Sequence, residues 1–147
     1  MWKWIPAGVV LCVFAAGPSL GCASDNATPD AEDAKQTRLV DRLCIVQMHK
    51  AAMECRKERR LARQELNEEC CKIAQKWAEE MARRGRMEHG GGEQVIARGY
   101  KTPLACIAAW MRSSPHRAWI LCHRPKAGWG CATSKSGTRY WAGCFKK

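Results

Sequence analysis

The sequence predicts one α+β domain, with its helices first and a β-hairpin last. Three observations carry this. No Gly or Pro occurs between Ala31 and Arg84, and apolar residues recur there at helical spacing. The glycines Gly90 to Gly92 then interrupt the chain, and helix-starting residues resume at Thr102-Pro103. Residues 128–133 and 138–145 are short aromatic-containing runs on either side of Ser134-Lys135-Ser136-Gly137, which reads as a hairpin turn. Helices segregated from an antiparallel hairpin define the α+β class. A chain of 147 residues holds one such domain and one core.

The N-terminal residues 1–22 read as an export signal. Lys3 supplies a weak positive charge, and Ile5 to Ala16 is mostly apolar. The run is too short and broken for a membrane span, which needs about 20 apolar residues. Small residues before Cys22 resemble a bacterial lipoprotein cleavage box with Cys22 lipidated; ordinary cleavage near Ala23 is the alternative. Either route takes the protein out of the cytoplasm, to the cell envelope, the periplasm or the exterior. Residues 23–38 are acidic, small and poor in apolar side chains, and read as a flexible linker. The folded domain is expected over 39–147.

Within it, Leu39, Leu43, Val46 and Met53, with Cys44 alongside, suggest a first amphipathic helix. Periodicity leaves open whether the chain breaks near residues 59–66. The second helix is better defined. Asn67 is its expected N-cap, Glu68 and Glu69 suit the positive end of the dipole, and Cys70, Ile73, Ala74, Trp77, Ala78 and Met81 form one stripe. Gly85 is the natural stop. Leu104, Ile107, Ala108 and Met111 continue the helix begun at Thr102-Pro103, and Ser114-Pro115 starts a further helical turn.

Of ten cysteines, Cys12 leaves with the signal and Cys22 is the candidate anchor. An even set remains in a chain of secreted character, and no CxxC pair occurs. That favours disulfides over a thiolate metal site. Spacing does not give their connectivity. The formal net charge is +11, but the basic residues are spread over helical faces and the C-terminus. Arg56 to Arg60 is the densest cluster and reads as a solvated face. No zinc finger, helix-turn-helix or aromatic RNA-binding signature is present, so no specific nucleic-acid partner is expected.

The residues with chemical potential surround the glycines. His89 precedes them, Glu93 follows them, and His116 opens a later helix. Two imidazoles and a carboxylate suit a divalent cation or acid–base work. The bland alternative is a loop histidine and a helix-start histidine with no shared site. Trp77, Trp110, Trp129 and Trp141 read as core packing, His49 as a structural hydrogen-bonder, and Trp119 as an exposed ring.

The order of several short motifs resembles the CAP superfamily of cysteine-rich secretory, antigen 5 and pathogenesis-related 1 proteins, also called SCP domains. They are Ala74 to Ala78 with Met81-Ala82, His89, Gly92-Glu93-Gln94, Trp110 to Ser113, His116 to Leu121, Gly128-Trp129-Gly130, and Tyr140 to Phe145. The resemblance spans about residues 40–145. It implies an α–β–α sandwich around a small central antiparallel sheet. It also implies a cleft in which His89 and His116 hold zinc or another divalent cation, with Glu93 as an outer carboxylate or water base and Gln94, Ser113 and Arg117 at the margin. Gly90 to Gly92 would let the backbone turn so that Glu93 faces His89. Animal members carry a second Glu where Ser113 stands here, and Gln94 replaces an Asn. The expected function is an exported CAP domain binding a divalent metal or small ligand, without established catalysis. The alternatives are a metal-assisted hydrolase with Glu93 as base, and a disulfide-stapled interaction module. A small ligand or an extracellular protein is the expected partner.

Overall fold

The hairpin forms the centre of the sheet. A computed structural model describes the backbone of residues 29–147 and the side chains of residues 42–147; the expected signal, Cys22 and residues 23–28 of the expected linker lie outside these. In order come α1 (Pro29–Lys57), β1 (Glu65–Leu66), α2 (Glu68–Arg84), β2 (Val95–Arg98), α3 (Pro103–Arg112), α4 (Ser114–Ile120), β3 (Lys126–Thr133) and β4 (Arg139–Lys146). The sheet order is β1-β3-β4-β2. β3 and β4 pair antiparallel from Lys126↔Lys146 to Thr133↔Arg139, and β2 pairs antiparallel with β4. The sheet is not purely antiparallel: the two-residue β1 runs parallel to β3 at its edge. The turn closes as Ser134 N donates to Thr138 O and Gly137 N donates to Ser134 O, both at 2.9 Å.

Helices cover both faces. Cys70, Ala74, Ala78 and Met81 of α2 pack against Ile96, Tyr140, Ala142 and Cys144. On the other face α1, α3 and α4 enclose Trp110, Trp129, Trp141 and Phe145. Glycine sets the first spacing. A Cβ at Gly128 would lie 2.2 Å from Cys71 N, and one at Gly130 would lie 2.3 Å from the Ala74 carbonyl carbon. The backbone of α2 therefore rests directly on β3, which no larger residue permits.

The caps of α2 and α3 follow the sequence. Asn67 accepts from Cys70 N, and Gly85 takes the left-handed conformation at φ 69°. Thr102 Oγ1 accepts from Ala105 N at 3.2 Å, with Pro103 next. The first helix differs from expectation in two ways. It starts at Pro29, so the linker expected over 23–38 is helical from that residue onward. Its buried face is Cys44, Met48, Ala51, Ala52 and Met53, whereas Leu43 and Val46 are each 57% exposed. The indoles beneath α1 already fill the core, so the helix meets them with small and flexible side chains.

α1 ends at Lys57, and Arg60 adopts a positive φ of 57° in the turn that follows. Arg56 is buried, not part of a solvated basic face. Its Nε donates to Ala62 O, and its Nη1 donates to Ile120 O and Cys122 O, all within 2.9 Å. This one guanidinium ties the α1 exit to the α4 exit. Trp119 is likewise not an exposed ring: it stacks on Phe145 at 6.2 Å, and Arg124 lies over it at 5.0 Å. His49 Nδ1 accepts from Trp129 Nε1 at 3.3 Å, the structural role expected of it. No disulfide joins Cys44, Cys55, Cys70, Cys71, Cys106, Cys122 or Cys144, so the disulfides expected among these described residues are not formed here. No helix of the described residues is long and apolar enough to cross a membrane.

Candidate functional site: a two-histidine cleft

The site begins at the end of α2. Trp77 is half-buried on this helix, and its Nε1 donates to Glu88 O at 2.7 Å. The loop then folds back over the indole. A Cβ at Gly91 would stand 2.6 Å from Trp77 Cδ2 and Cε3, and one at Gly90 would stand 3.0 Å from Cη2. These two glycines serve close approach to a flat ring. Only Gly92, at φ +86°, serves the turn itself. The expectation that all three simply bend the chain is thus corrected.

The bend sends the Glu93 side chain inward, where it is fully buried. Oε1 accepts from Gly90 N at 3.2 Å and from His89 Nδ1 at 3.0 Å, and Oε2 accepts from Gly91 N at 2.8 Å. The His89 side chain stays 57% exposed. A carboxylate accepts and does not donate, so the ring nitrogen facing it carries the proton. Glu93 therefore fixes the Nδ1–H tautomer of His89 and leaves the lone pair on its Nε2.

Gln94 anchors the far end of the loop. Its backbone N donates to Gly143 O at 2.8 Å, its Oε1 accepts from Phe145 N at 2.6 Å, and its Nε2 donates to Gly92 O at 3.0 Å. Gln94 thus joins the loop to β4.

His116 enters from the first turn of α4. Its ring stacks on Trp110, with centroids 6.4 Å apart, and its Nδ1 lies 2.7 Å from Ser113 Oγ. Burial pushes its pKa below the ordinary histidine value, and the proximity of His89 pushes it further the same way. The two imidazoles therefore lie close enough for the charge of His89 to act on His116. Arg117 points elsewhere: Nη1 donates to Met111 O at 3.1 Å and Nη2 to Ser114 Oγ at 3.2 Å, closing the end of α3.

Three features of this site were not read from the sequence. Ser113 was placed at the cleft margin and as the site of an absent Glu, but not as the partner of His116 that it is; the Ser-x-x-His spacing at a helix start was the available signal. Trp77 counted as core, yet it is the platform of the loop. Trp110 counted as core and also carries the His116 ring. Among the described residues no group of three or more His, Cys, Asp or Glu is placed to hold a metal ion. Both Glu93 oxygens are engaged within the loop.

The profile of the cysteine-rich secretory protein family, CAP, matches residues 51–145. No curated protein sequence matches. Among solved structures, an outer surface protein from Borrelia burgdorferi superposes with a TM-score of 0.60 at 16% identity, over 87% of this chain and 98% of that one. An extracellular protein containing a SCP domain from Bacillus anthracis str. Ames gives a TM-score of 0.60 at 15% identity, over 90% of this chain and 45% of that one. At these identities the likeness is one of fold.

Proposed function

Since the chain belongs to the cysteine-rich secretory protein (CAP) family, we propose that it is an exported CAP domain whose cleft holds a divalent cation, zinc by donor chemistry, between His89 and His116. The observation that carries this reading is the pair of engaged Nδ1 atoms, His89 on Glu93 Oε1 and His116 on Ser113 Oγ. An imidazole held through one nitrogen presents the other to a metal. The lowered pKa of His116 keeps that ring neutral, as a ligand must be. Two protein ligands do not complete a structural zinc site, which takes four. The cation would keep open positions for water or for oxygen atoms of a small ligand, and would supply Lewis acidity there. Glu93 acts behind His89 as its orienting carboxylate.

The hydrolase alternative draws no support from Glu93. A water base needs an unengaged carboxylate oxygen at the cleft, and both oxygens here are held by amides and His89. Export is supported by the apolar N-terminal run and by similarity to an outer-surface and an extracellular protein. Cys22 would supply a lipid anchor if cleavage is of the lipoprotein type.

Zinc calorimetry tests the reading. The folded protein should bind zinc, and His89→Ala and His116→Ala should each abolish binding while the protein stays folded. A folded wild type that takes up no zinc refutes the cation site, and the interaction-module alternative then stands.

A further inference from the structure

We propose that Cys70 and Cys144 are a disulfide-forming pair that closes a covalent frame around the His89–Glu93 loop. Cys144 on β4 is the cross-strand partner of Gly128 on β3, and directly opposed strand residues project from the same face. That face belongs to α2, because a Cβ at Gly128 would lie 2.5 Å from Cys70 Cβ. Glycine at 128 thus leaves the space in which the two thiols meet. Both residues are fully buried in the same core cluster, and Cys70 is close enough to the Cys144 thiol to raise its pKa. Adjacent Cys71 is only half-buried and lines the groove between α1 and α2, beside Ile45 and Val46.

The frame has three parts. Cys70 lies on α2 two turns before Trp77, the platform under Gly91. Cys144 lies on β4 between Gly143 and Phe145, the residues that hold Gln94. The Cys144 thiol itself donates to Gly92 O at 3.8 Å. Oxidation would therefore join the two supports of the loop by a bond.

The chemistry is exchange with a dithiol-derived or glutathione-type disulfide. One cysteine thiolate attacks a sulfur of the oxidant and releases one thiol. The second cysteine then attacks the mixed disulfide and releases the other. Two S–H bonds are lost, one protein S–S bond forms, and the oxidant is reduced to two thiols. Burial, and next the neighbouring Cys70, push the Cys144 thiol up to about 12, so the docked pair reacts slowly. The bond is made before β4 settles on α2, during folding outside the cytoplasm, and burial then shields it from reductant.

The inference does not rest on cation binding, and its test supplies the oxidant, so a failure of the export reading is separable. The full chain is refolded in oxidised and reduced glutathione, alkylated without reduction and digested with trypsin. Residues 64–72 and 140–146 should appear as one linked peptide that separates on reduction. The link should persist in Cys71→Ser and vanish in Cys70→Ser and Cys144→Ser. If Cys71→Ser does not fold, wild type against Cys70→Ser decides the same point. Recovery of Cys70 and Cys144 as alkylated thiols overturns the proposal. So does a link that survives Cys70→Ser, or one joining Cys144 to any other cysteine.

Discussion

Replacing Glu93 by Gln changes no volume, so its effect isolates hydrogen bonding. Three donors converge on the buried carboxylate: Gly90 N and His89 Nδ1 on Oε1, and Gly91 N on Oε2. Glutamine has one acceptor oxygen. If its amide nitrogen takes the Oε2 place, it opposes Gly91 N across a 2.8 Å contact, and an orphaned donor of this kind costs about 1–3 kcal/mol. If it takes the Oε1 place, it opposes the longer Gly90 bond of 3.2 Å, at a residue exposed enough to be rehydrated. The second arrangement costs less, but it makes Nδ1 of His89 an acceptor and moves the ring proton to Nε2. The expected result is a stability loss of about 1–2 kcal/mol, an inverted His89 tautomer, and loss of zinc binding with both histidines present. Urea unfolding reads the first, and long-range proton–nitrogen NMR of the imidazoles reads the second. An Nε2–H tautomer of His89 in the wild type, or an unchanged tautomer in Glu93→Gln, would refute the assignment of Glu93 as the orienting group.

Other perturbations test the supports of the site. Gly91→Ala drives a methyl to within 2.6 Å of the Trp77 ring; overpacking of this kind costs about 1–3 kcal/mol, and denaturant midpoints should fall accordingly. A midpoint equal to that of wild type means that loop and ring can part without cost. Arg56→Ala removes the donors to Ala62 O, Ile120 O and Cys122 O and should cost about 3 kcal/mol or more, since breaking a buried charged network lies in the large-effect class; a loss below about 1 kcal/mol would contradict its role. Stability should also fall in mild acid. His49 is held below its ordinary 6.5 by burial and then by Arg63, and His116 by burial and then by His89. A histidine with a depressed folded pKa binds more protons when unfolded, so its contribution is full above pH 6.5 and lost as pH falls below it. Unfolding curves across this window should show the slope, and His49→Gln, which keeps an acceptor for Trp129, should flatten it. An unaltered slope in that variant excludes His49 as a source.

The parts of the fold that were legible are those specified locally. Asn67, Gly85, Thr102 and Pro103 act through neighbouring backbone groups, so the bounds of α2 and α3 follow from short motifs. The face of α1 depends on what lies beneath it. Leu43 and Val46 outweigh Ala51 and Ala52 in any hydrophobic count, yet the bulk of Trp110 and Trp129 leaves room only for the smaller side chains. β1 has no apolar pattern: Glu65 and Leu66 are exposed and are held by flanking bonds from Glu65 N to Pro125 O and Asn67 N to Ala127 O. β2 was not foreseen: Val95, Ile96 and Ala97 are all buried, so the strand lacks the alternation of a one-sided strand. At the site, motif order located His89, Glu93 and His116. It did not show Trp77 under the glycines or Ser113 beside His116, because both are contacts made by the fold.

Ser113 gives the cleft its asymmetry. A carboxylate behind an imidazole only accepts, so Glu93 leaves His89 one neutral tautomer. A hydroxyl both donates and accepts, so the 2.7 Å contact between Ser113 Oγ and His116 Nδ1 fits either tautomer of His116. In one, the hydroxyl donates to Nδ1 and Nε2 carries the proton; in the other, Nδ1 donates and Nε2 is open. The proposed cation would select the second, by a rotation of the hydroxyl that need not move the ring. At the proposed cation site His89 would be a prepared ligand and His116 a selected one, and the cost of selection would fall on cation affinity. Ser113→Asp would replace the hydroxyl by an acceptor and prepare both rings. Tighter zinc binding in that variant, with the Trp110–His116 stack retained, is what this asymmetry requires; equal affinity would place the limit in the number of ligands instead.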